Sequence, residues 1–371
     1  MQPCNQLGVL FDGSIYGMQR TGGVSRFTTG LLSSLAKQQG LDLMLHLPET
    51  LMSEPLHYEG VRICQDVAFR PWRLSVKYNN MALRWRCWWR GVKVYHAPYY
   101  ETNAPRNTGV VVTVHDMIHE SFPQLLLDPE TIQIKKDAIM RADLLVAVSA
   151  QTRDDLVSIL KIPPERIVVV YHGLDPAFAD VPNADATWIS EHTRRNVPYW
   201  LHVGCRRSYK NFDCLVKAFS RVAGKTDADL LLIGGEQNLE DAERSMLSKA
   251  GCLDRVHLLG NVSDAQMRAA YAQAVGFVSC SLAEGFGIPV LEAMACGTPV
   301  IVSDIPVYHE VAGDAGLYFD PSNSEALAEQ LLRSLDSDVQ VAGRQRALAQ
   351  AKKFSWDIAA KQYRNAYYAV A

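Results

Sequence analysis

The stretch Glu284-Gly-Phe-Gly-Ile-Pro-Val-Leu-Glu292-Ala-Met-Ala-Cys-Gly-Thr-Pro-Val300 sits between two short apolar runs, Gly276–Ser279 and Val300–Ser303. Gly285 and Gly287 allow a tight turn and a close approach of backbone to a ligand. Pro289 suits the first position of a helix, where its missing N–H costs nothing. The order is strand, glycine loop, helix, strand, which is one parallel β-α-β unit. In open α/β sheets ligands bind beyond the carboxyl ends of strands, so the loop holding Glu284 is where chemistry is expected. Free N–H groups at the helix start can face an anion or hydroxyl groups. Glu292 stands one turn into the helix, so the two carboxylates can hold two parts of one ligand.

The same pattern extends in both directions. Candidate strands in the first half are Leu7–Phe11, Leu41–Leu47, Lys93–His96, Val110–Val114, Leu144–Val148 and Ile167–Tyr171. In the second half they are Trp200–Val203, Leu230–Ile233, Val256–Leu259, Gly276–Ser279, Val300–Ser303 and Gly316–Phe319. Unbroken apolar runs joined by helix-length segments point to parallel sheets buried on both faces. The 371 residues suit two such α/β domains. The polar stretch Asp180–Pro198 is the expected boundary, giving domains at 1–180 and 198–355. The last segment, Trp356–Ala371, reads as a helix with three tyrosines that can cap either domain, crossing back to the first in one of the two cases.

Composition excludes several classes. The formal net charge is −3, so no global basic field points to nucleic acid. The eight cysteines show no C-x-x-C spacing, and a reducing compartment is the simplest setting. Met1 to Asn5 lacks the start of a signal peptide, and no run approaches the ~18 apolar residues of a membrane span. The expectation is a cytoplasmic protein, peripheral at most on the inner face of the membrane. No G-x-G-x-x-G follows the first strand, which disfavours a dehydrogenase.

Other strand ends carry polar residues. Trp200-Leu-His-Val-Gly204-Cys-Arg206-Arg207-Ser-Tyr-Lys210-Asn211 places three cations just before a helix that Asn211 suits as N-cap. That arrangement fits a diphosphate, although a solvated basic loop would read the same. Gly22 and Gly23 precede a helix running to about Lys37 and can cradle phosphate or simply turn the chain. His115 and Asp116 end the strand Val110–Val114, and His96 ends the preceding one. A lone histidine is more often structural than catalytic. Gly234-Gly235-Glu236 and Gly260-Asn261-Val262 also follow strands. Asp227-Ala-Asp229 precedes its strand, at the end opposite the expected crevice, and Asp336-Ser-Asp338 lies between helices, so neither is read as a metal clamp.

Taken together, Glu284 and Glu292 with seven residues between them, followed by Gly-Thr-Pro-Val300, resemble the E-x7-E signature of the retaining glycosyltransferases of family 4. The other landmarks occur in the family's order over most of the chain. The resemblance implies the GT-B fold, two Rossmann-like domains whose parallel sheets face a central cleft. It implies Arg206 and Lys210 on the leaving nucleoside diphosphate. The family arginine often follows the glycine directly, where this chain has Cys205, so either Arg206 or Arg207 fits. It implies Glu284 on the sugar and Glu292 on the ribose. Gly285, Phe286, Gly287, Ile288, Pro289 and Val290 supply backbone to the donor, with Gly22 and Gly23 reaching its diphosphate. Gly234, Asn261 and Val262 lie where the family binds the base. His115 contacts the transferred sugar, and Asp116 and His96 are acceptor candidates. The resemblance is greatest to bacterial mannosyltransferases of surface polysaccharide assembly. It favours GDP-mannose over a UDP-hexose as donor, a saccharide or lipid-linked saccharide as acceptor, and no metal or other cofactor. A nucleotide-sugar epimerase on this scaffold would lack the Glu284–Glu292 loop; a non-catalytic binding module would release no diphosphate.

Residues 70–93 hold seven basic side chains, no acidic ones and four of the seven tryptophans. As a helix, Leu74, Tyr78, Met81, Trp85, Trp88 and Trp89 share one face, flanked by Arg84, Arg86 and Arg90. Two readings fit equally: an interfacial helix on an anionic membrane, or a core helix with a solvated basic face.

Overall fold

A computed structural model of the chain describes residues 6–18, 22–48, 58–67, 72–100, 104–125, 129–179, 187–193, 195–206 and 208–371. Arg207 and residues 180–186 of the expected boundary lie outside these.

The apolar runs form two wholly parallel sheets. The first contains β1 (Leu7–Asp12), β2 (Leu41–Leu47), β3 (Val61–Gln65), β4 (Val92–Ala97), β5 (Gly109–Val114), β6 (Leu144–Ala147) and β7 (Ile167–Val169), in the order β3-β2-β1-β4-β5-β6-β7. The second contains β8 (Tyr199–Val203), β9 (Asp229–Ile233), β10 (Val256–Leu258), β11 (Gly276–Ser279), β12 (Val300–Ser303) and β13 (Gly316–Phe319), in the order β10-β9-β8-β11-β12-β13. The chain divides into two units at Gly173–Leu174, ahead of the polar stretch, and residues 355–371 belong to the first.

The lack of alternation in the strands has a direct cause. In β1, Val9 and Phe11 pack with Leu31, Leu32 and Tyr363 on one face of the sheet. Leu10, pointing the other way, packs with Leu83, Ala138 and Ile139. Both faces are dry here, so the successive positions Val9, Leu10 and Phe11 are all apolar. The strand absent from the sequence reading, β3, is an edge strand with only Val61 buried. Its pattern Val-Arg-Ile-Cys-Gln carries too little apolar signal to stand out.

In the second unit the helix Phe212–Val222 buries Phe212, Leu215, Val216, Phe219 and Val222 against Trp200, Leu230 and Leu232. That spacing is one helical stripe. Each such side chain contributes about 1.5–3 kcal/mol by leaving water. Asn211 stands before this helix but does not cap it with its side chain. It adopts a left-handed backbone, φ 53°, and its Nδ2 donates to the carbonyls of Cys280 and Pro321. It ties the loop after β8 to the end of β11.

The helix Trp72–Arg90 settles one of the two readings of residues 70–93. Among its described side chains Asn79, Leu83 and Cys87 are buried, while Met81, Trp85, Trp88 and Trp89 are exposed. Trp85, Trp88 and Trp89 are therefore not core residues. No helix among the described residues is long and apolar enough to cross a membrane.

Candidate active site

Strand order decides where the polar loops gather. In the second sheet the chain leaves β8 toward β9 on one side, and leaves β11 toward β12 on the other. Crossover helices diverge at that point and open a crevice at the carboxyl ends of β8 and β11. The loops after these two strands carry Lys210 and Glu284.

Lys210 Nζ donates to Glu284 Oε1 at 2.6 Å. The same oxygen accepts from Ser281 Oγ at 2.7 Å and from the Tyr308 hydroxyl at 3.4 Å. Among the described residues no donor reaches Oε2, which remains an acceptor for a ligand hydroxyl. Burial opposes the charge on Lys210, but the Glu284 carboxylate outweighs it and raises the pKa above the usual lysine range. The lysine is thus cationic across the physiological range. Burial and the Glu284 charge raise the Tyr308 pKa, so Tyr308 stays a phenol and donates. Neither Tyr308 nor Ser281 carries a sequence signal of its own; both are visible only once β11 and the helix Pro306–Ala312 are placed together.

The glycine loop holds this arrangement. Gly287 has φ +96°, and a Cβ there would come within 2.8 Å of Tyr308 Cε1. Only glycine satisfies both the backbone and the tyrosine. The helix Ile288–Ala295 follows, with Pro289 in its first turn, one position later than expected. Phe286 is buried edge-on against Phe354, which anchors the loop tip. Glu292 is buried on the same helix and accepts from the Tyr271 hydroxyl at 3.2 Å.

Arg206 is held by the loop after β9. Its terminal nitrogens donate to the carbonyls of Glu236 and Asn238 at 2.8 and 2.7 Å, and its backbone N–H donates to Glu236 Oε2. Its guanidinium also lies over the Phe212 ring. These bonds fasten the loop after β9 beside the loop after β8. Gly235 completes the join, because a Cβ there would meet Gly204 O at 2.5 Å. Gly234 donates its N–H to the carbonyl of Gly260, which brings the third loop, with exposed Asn261 and half-buried Val262, to the same strand ends.

The first unit presents its own cluster. His115 Nε2 lies 2.7 Å from the Pro98 carbonyl, which can only accept. Nε2 therefore carries the proton, and Nδ1 of the neutral ring is an acceptor. Burial pushes the His115 pKa down to about 4, so the ring is neutral near pH 7. Asp116 accepts from the N–H of Ile118 and from Lys135 Nζ at 3.3 Å. Lys135, which had no distinguishing sequence signal, is buried between Asp116 and Glu120. Burial works to raise the Asp116 pKa, but Lys135 with the Ile118 N–H leaves it lowered and ionised. Gly22 caps the helix Gly23–Leu35, its N–H donating to Ser25 Oγ.

His96 is a correction. It is fully buried, with Nε2 bonded to Thr113 Oγ1 and Nδ1 to the Tyr367 hydroxyl, both at 2.8 Å. Both ring nitrogens serve the core, so His96 offers nothing to an acceptor. Asp229 is likewise engaged at the opening of β9, where Arg195, Arg255 and His257 surround its buried carboxylate. Asp336 caps the helix Ser337–Ala351.

Two family models cover this architecture: "Glycosyltransferase Family 4" matches residues 21–178, and "Glycosyl transferases group 1" matches residues 187–354. O-antigen chain mannosyltransferase B of Escherichia coli is 30% identical over 283 residues, 74% of each chain. The chain belongs to glycosyltransferase family 4. O-antigen chain mannosyltransferase RfbU of Salmonella typhimurium is 28% identical over 216 residues, 58% of each chain. Anabaena HepE, solved in complex with UDP-glucose, superposes with a TM-score of 0.75 over 98% of this chain and 100% of its own, at 16% identity. That likeness is one of fold, GT-B. The glycosyltransferase thus has its E-x7-E glutamates and its loop lysine at the switch point of the second sheet.

Proposed function

We propose that this glycosyltransferase moves mannose from GDP-mannose to a saccharide or lipid-linked saccharide in cell-surface polysaccharide synthesis, with retention of anomeric configuration. The observation that carries the chemistry is the 2.6 Å contact of Lys210 with Glu284 at the switch point of the second sheet. It joins a fixed cation, suited to a departing diphosphate, to a carboxylate with an open acceptor atom, suited to sugar hydroxyls. The mannosyl and O-antigen parts rest on the names of the two relatives.

In this scheme Lys210, with Arg206 or Arg207, offsets charge growing on the leaving diphosphate. One well-placed donor of that kind is worth about 3–4 kcal/mol of barrier. Glu284 Oε2 accepts a hydroxyl of the transferred sugar. Glu292 takes the ribose hydroxyls. The acceptor hydroxyl attacks from the face the diphosphate leaves, and its proton passes to the departing phosphate oxygen. Lysine and helix dipoles supply the positive charge, so the scheme uses no metal or other cofactor.

A thermal-shift panel of GDP-mannose, UDP-glucose, UDP-galactose and ADP-glucose tests the donor. A ligand that binds the folded state raises the midpoint. GDP-mannose should give the largest rise; a larger rise with a UDP-hexose overturns the mannose assignment and leaves the transferase scheme standing.

A further inference from the structure

In the helix Trp72–Arg90, Met81, Trp85, Trp88 and Trp89 turn outward while Leu83 and Cys87 are buried. Toward the sheet, Leu83 and Cys87 join the cluster around Leu10, Met44 and Tyr95, and Asn79 closes a pair of hydrogen bonds with the backbone of Val67. The outer face displays Met81, Trp85, Trp88 and Trp89, with Trp88 78% exposed. Trp85 and Trp89 stack with ring centroids 6.1 Å apart, which makes a flat indole surface rather than scattered side chains. Exposed single apolar residues are ordinary, but three indoles and a methionine on one helix face are not.

The charge of the surrounding segment is of one sign. From Val67 to Tyr100 there are seven Lys and Arg and no Asp or Glu, within a chain whose total is −3, so the remaining residues carry −10. Arg84 is exposed beside the indoles, and the Arg90 guanidinium lies 4.7 Å from the centroid of the Trp89 ring. Indoles settle at the boundary between headgroups and acyl chains, with the N–H toward water. Arginines at the same level meet lipid phosphates. A basic segment on an otherwise acidic protein also orients it, since the rest of the surface is repelled by negative lipid.

We propose that the outer face of the helix Trp72–Arg90 docks on an anionic phospholipid bilayer, with Trp85, Trp88 and Trp89 in the interface and Arg84 and Arg90 on lipid phosphates. This stands apart from the reaction, because binding is read without donor or acceptor.

The test is flotation of the purified full chain with vesicles of phosphatidylglycerol and phosphatidylcholine, against vesicles of phosphatidylcholine alone. Partition should be about tenfold higher on the anionic vesicles and fall with added salt. Trp85→Ser with Trp88→Ser, and separately Arg84→Gln with Arg90→Gln, should each lower it about tenfold, with thermal midpoints and circular dichroism checking that both variants stay folded. Equal partition to neutral vesicles, or uptake unchanged in both folded variants, would overturn the proposal. So would a self-association of the wild type that the tryptophan variant abolishes while vesicle uptake stays the same, since the face would then be a protein interface.

Discussion

Changing Lys210 to methionine and Glu284 to glutamine, singly and together, isolates the pair at the centre of the site. The two side chains are 21% and 12% exposed, 2.6 Å apart. Breaking a fully buried pair from one side costs about 3–5 kcal/mol, and an exposed pair is worth about 0–1 kcal/mol. This pair lies between those limits and nearer the first, so either single change should cost about 2–3 kcal/mol. Lys210→Met belongs at the lower end, because Ser281 and Tyr308 still donate to the carboxylate. The double variant removes both charges together and should cost less than the sum of the two, by about 1.5–2 kcal/mol. For a unit of this size that corresponds to a midpoint fall of about 4–12 °C in either single variant. Urea unfolding of the four proteins, followed by circular dichroism, gives the cycle. Strictly additive single changes would show the two residues to be uncoupled, and the description of the site would fail with them.

The remaining predictions concern the surroundings. Arg206→Ala removes two bonds to the Glu236–Asn238 loop and should lower stability by about 2–4 kcal/mol; an unchanged midpoint with lost turnover would make Arg206 a ligand group instead of a loop anchor. Burial depresses the pKa of His96 to about 3, and those of His115 and His202 to about 4, below the ordinary 6.5. The unfolded chain binds these protons first, so their stability contribution is complete above pH 6.5 and shrinks as pH falls toward 4. The loss is up to about 1.4 kcal/mol per pH unit for each histidine. Urea midpoints should therefore be lower at about pH 5.5 than at about pH 7.5, and equal midpoints would refute the burial argument.

The sequence carried the sheets well because both faces of each are dry, and a strand buried twice reads as an unbroken apolar run. The edge strand Val61–Gln65 lacked that signal. Site residues on strand-end loops stood out where their type was diagnostic: Glu284 and Lys210 were singled out on separate loops, and the structure adds that they stand 2.6 Å apart. Tyr308 and Ser281, which complete the same cluster, are ordinary residues whose meaning comes only from the strand order. His96 misled because its place after a strand suited a ligand contact equally well. Helical periodicity correctly grouped the tryptophans of residues 78–89 on one face. It had no means of saying which way that face turned, since an interfacial stripe and a core stripe have the same spacing.

Calorimetric titration of GDP into the wild type and into folded Lys210→Met tests most directly whether the switch point of the second sheet grips the nucleoside diphosphate. Loss of one charge-assisted bond is worth about 1.5–3 kcal/mol, so the variant should bind about tenfold to a hundredfold more weakly. Wild-type binding with the same affinity in the variant would contradict the account.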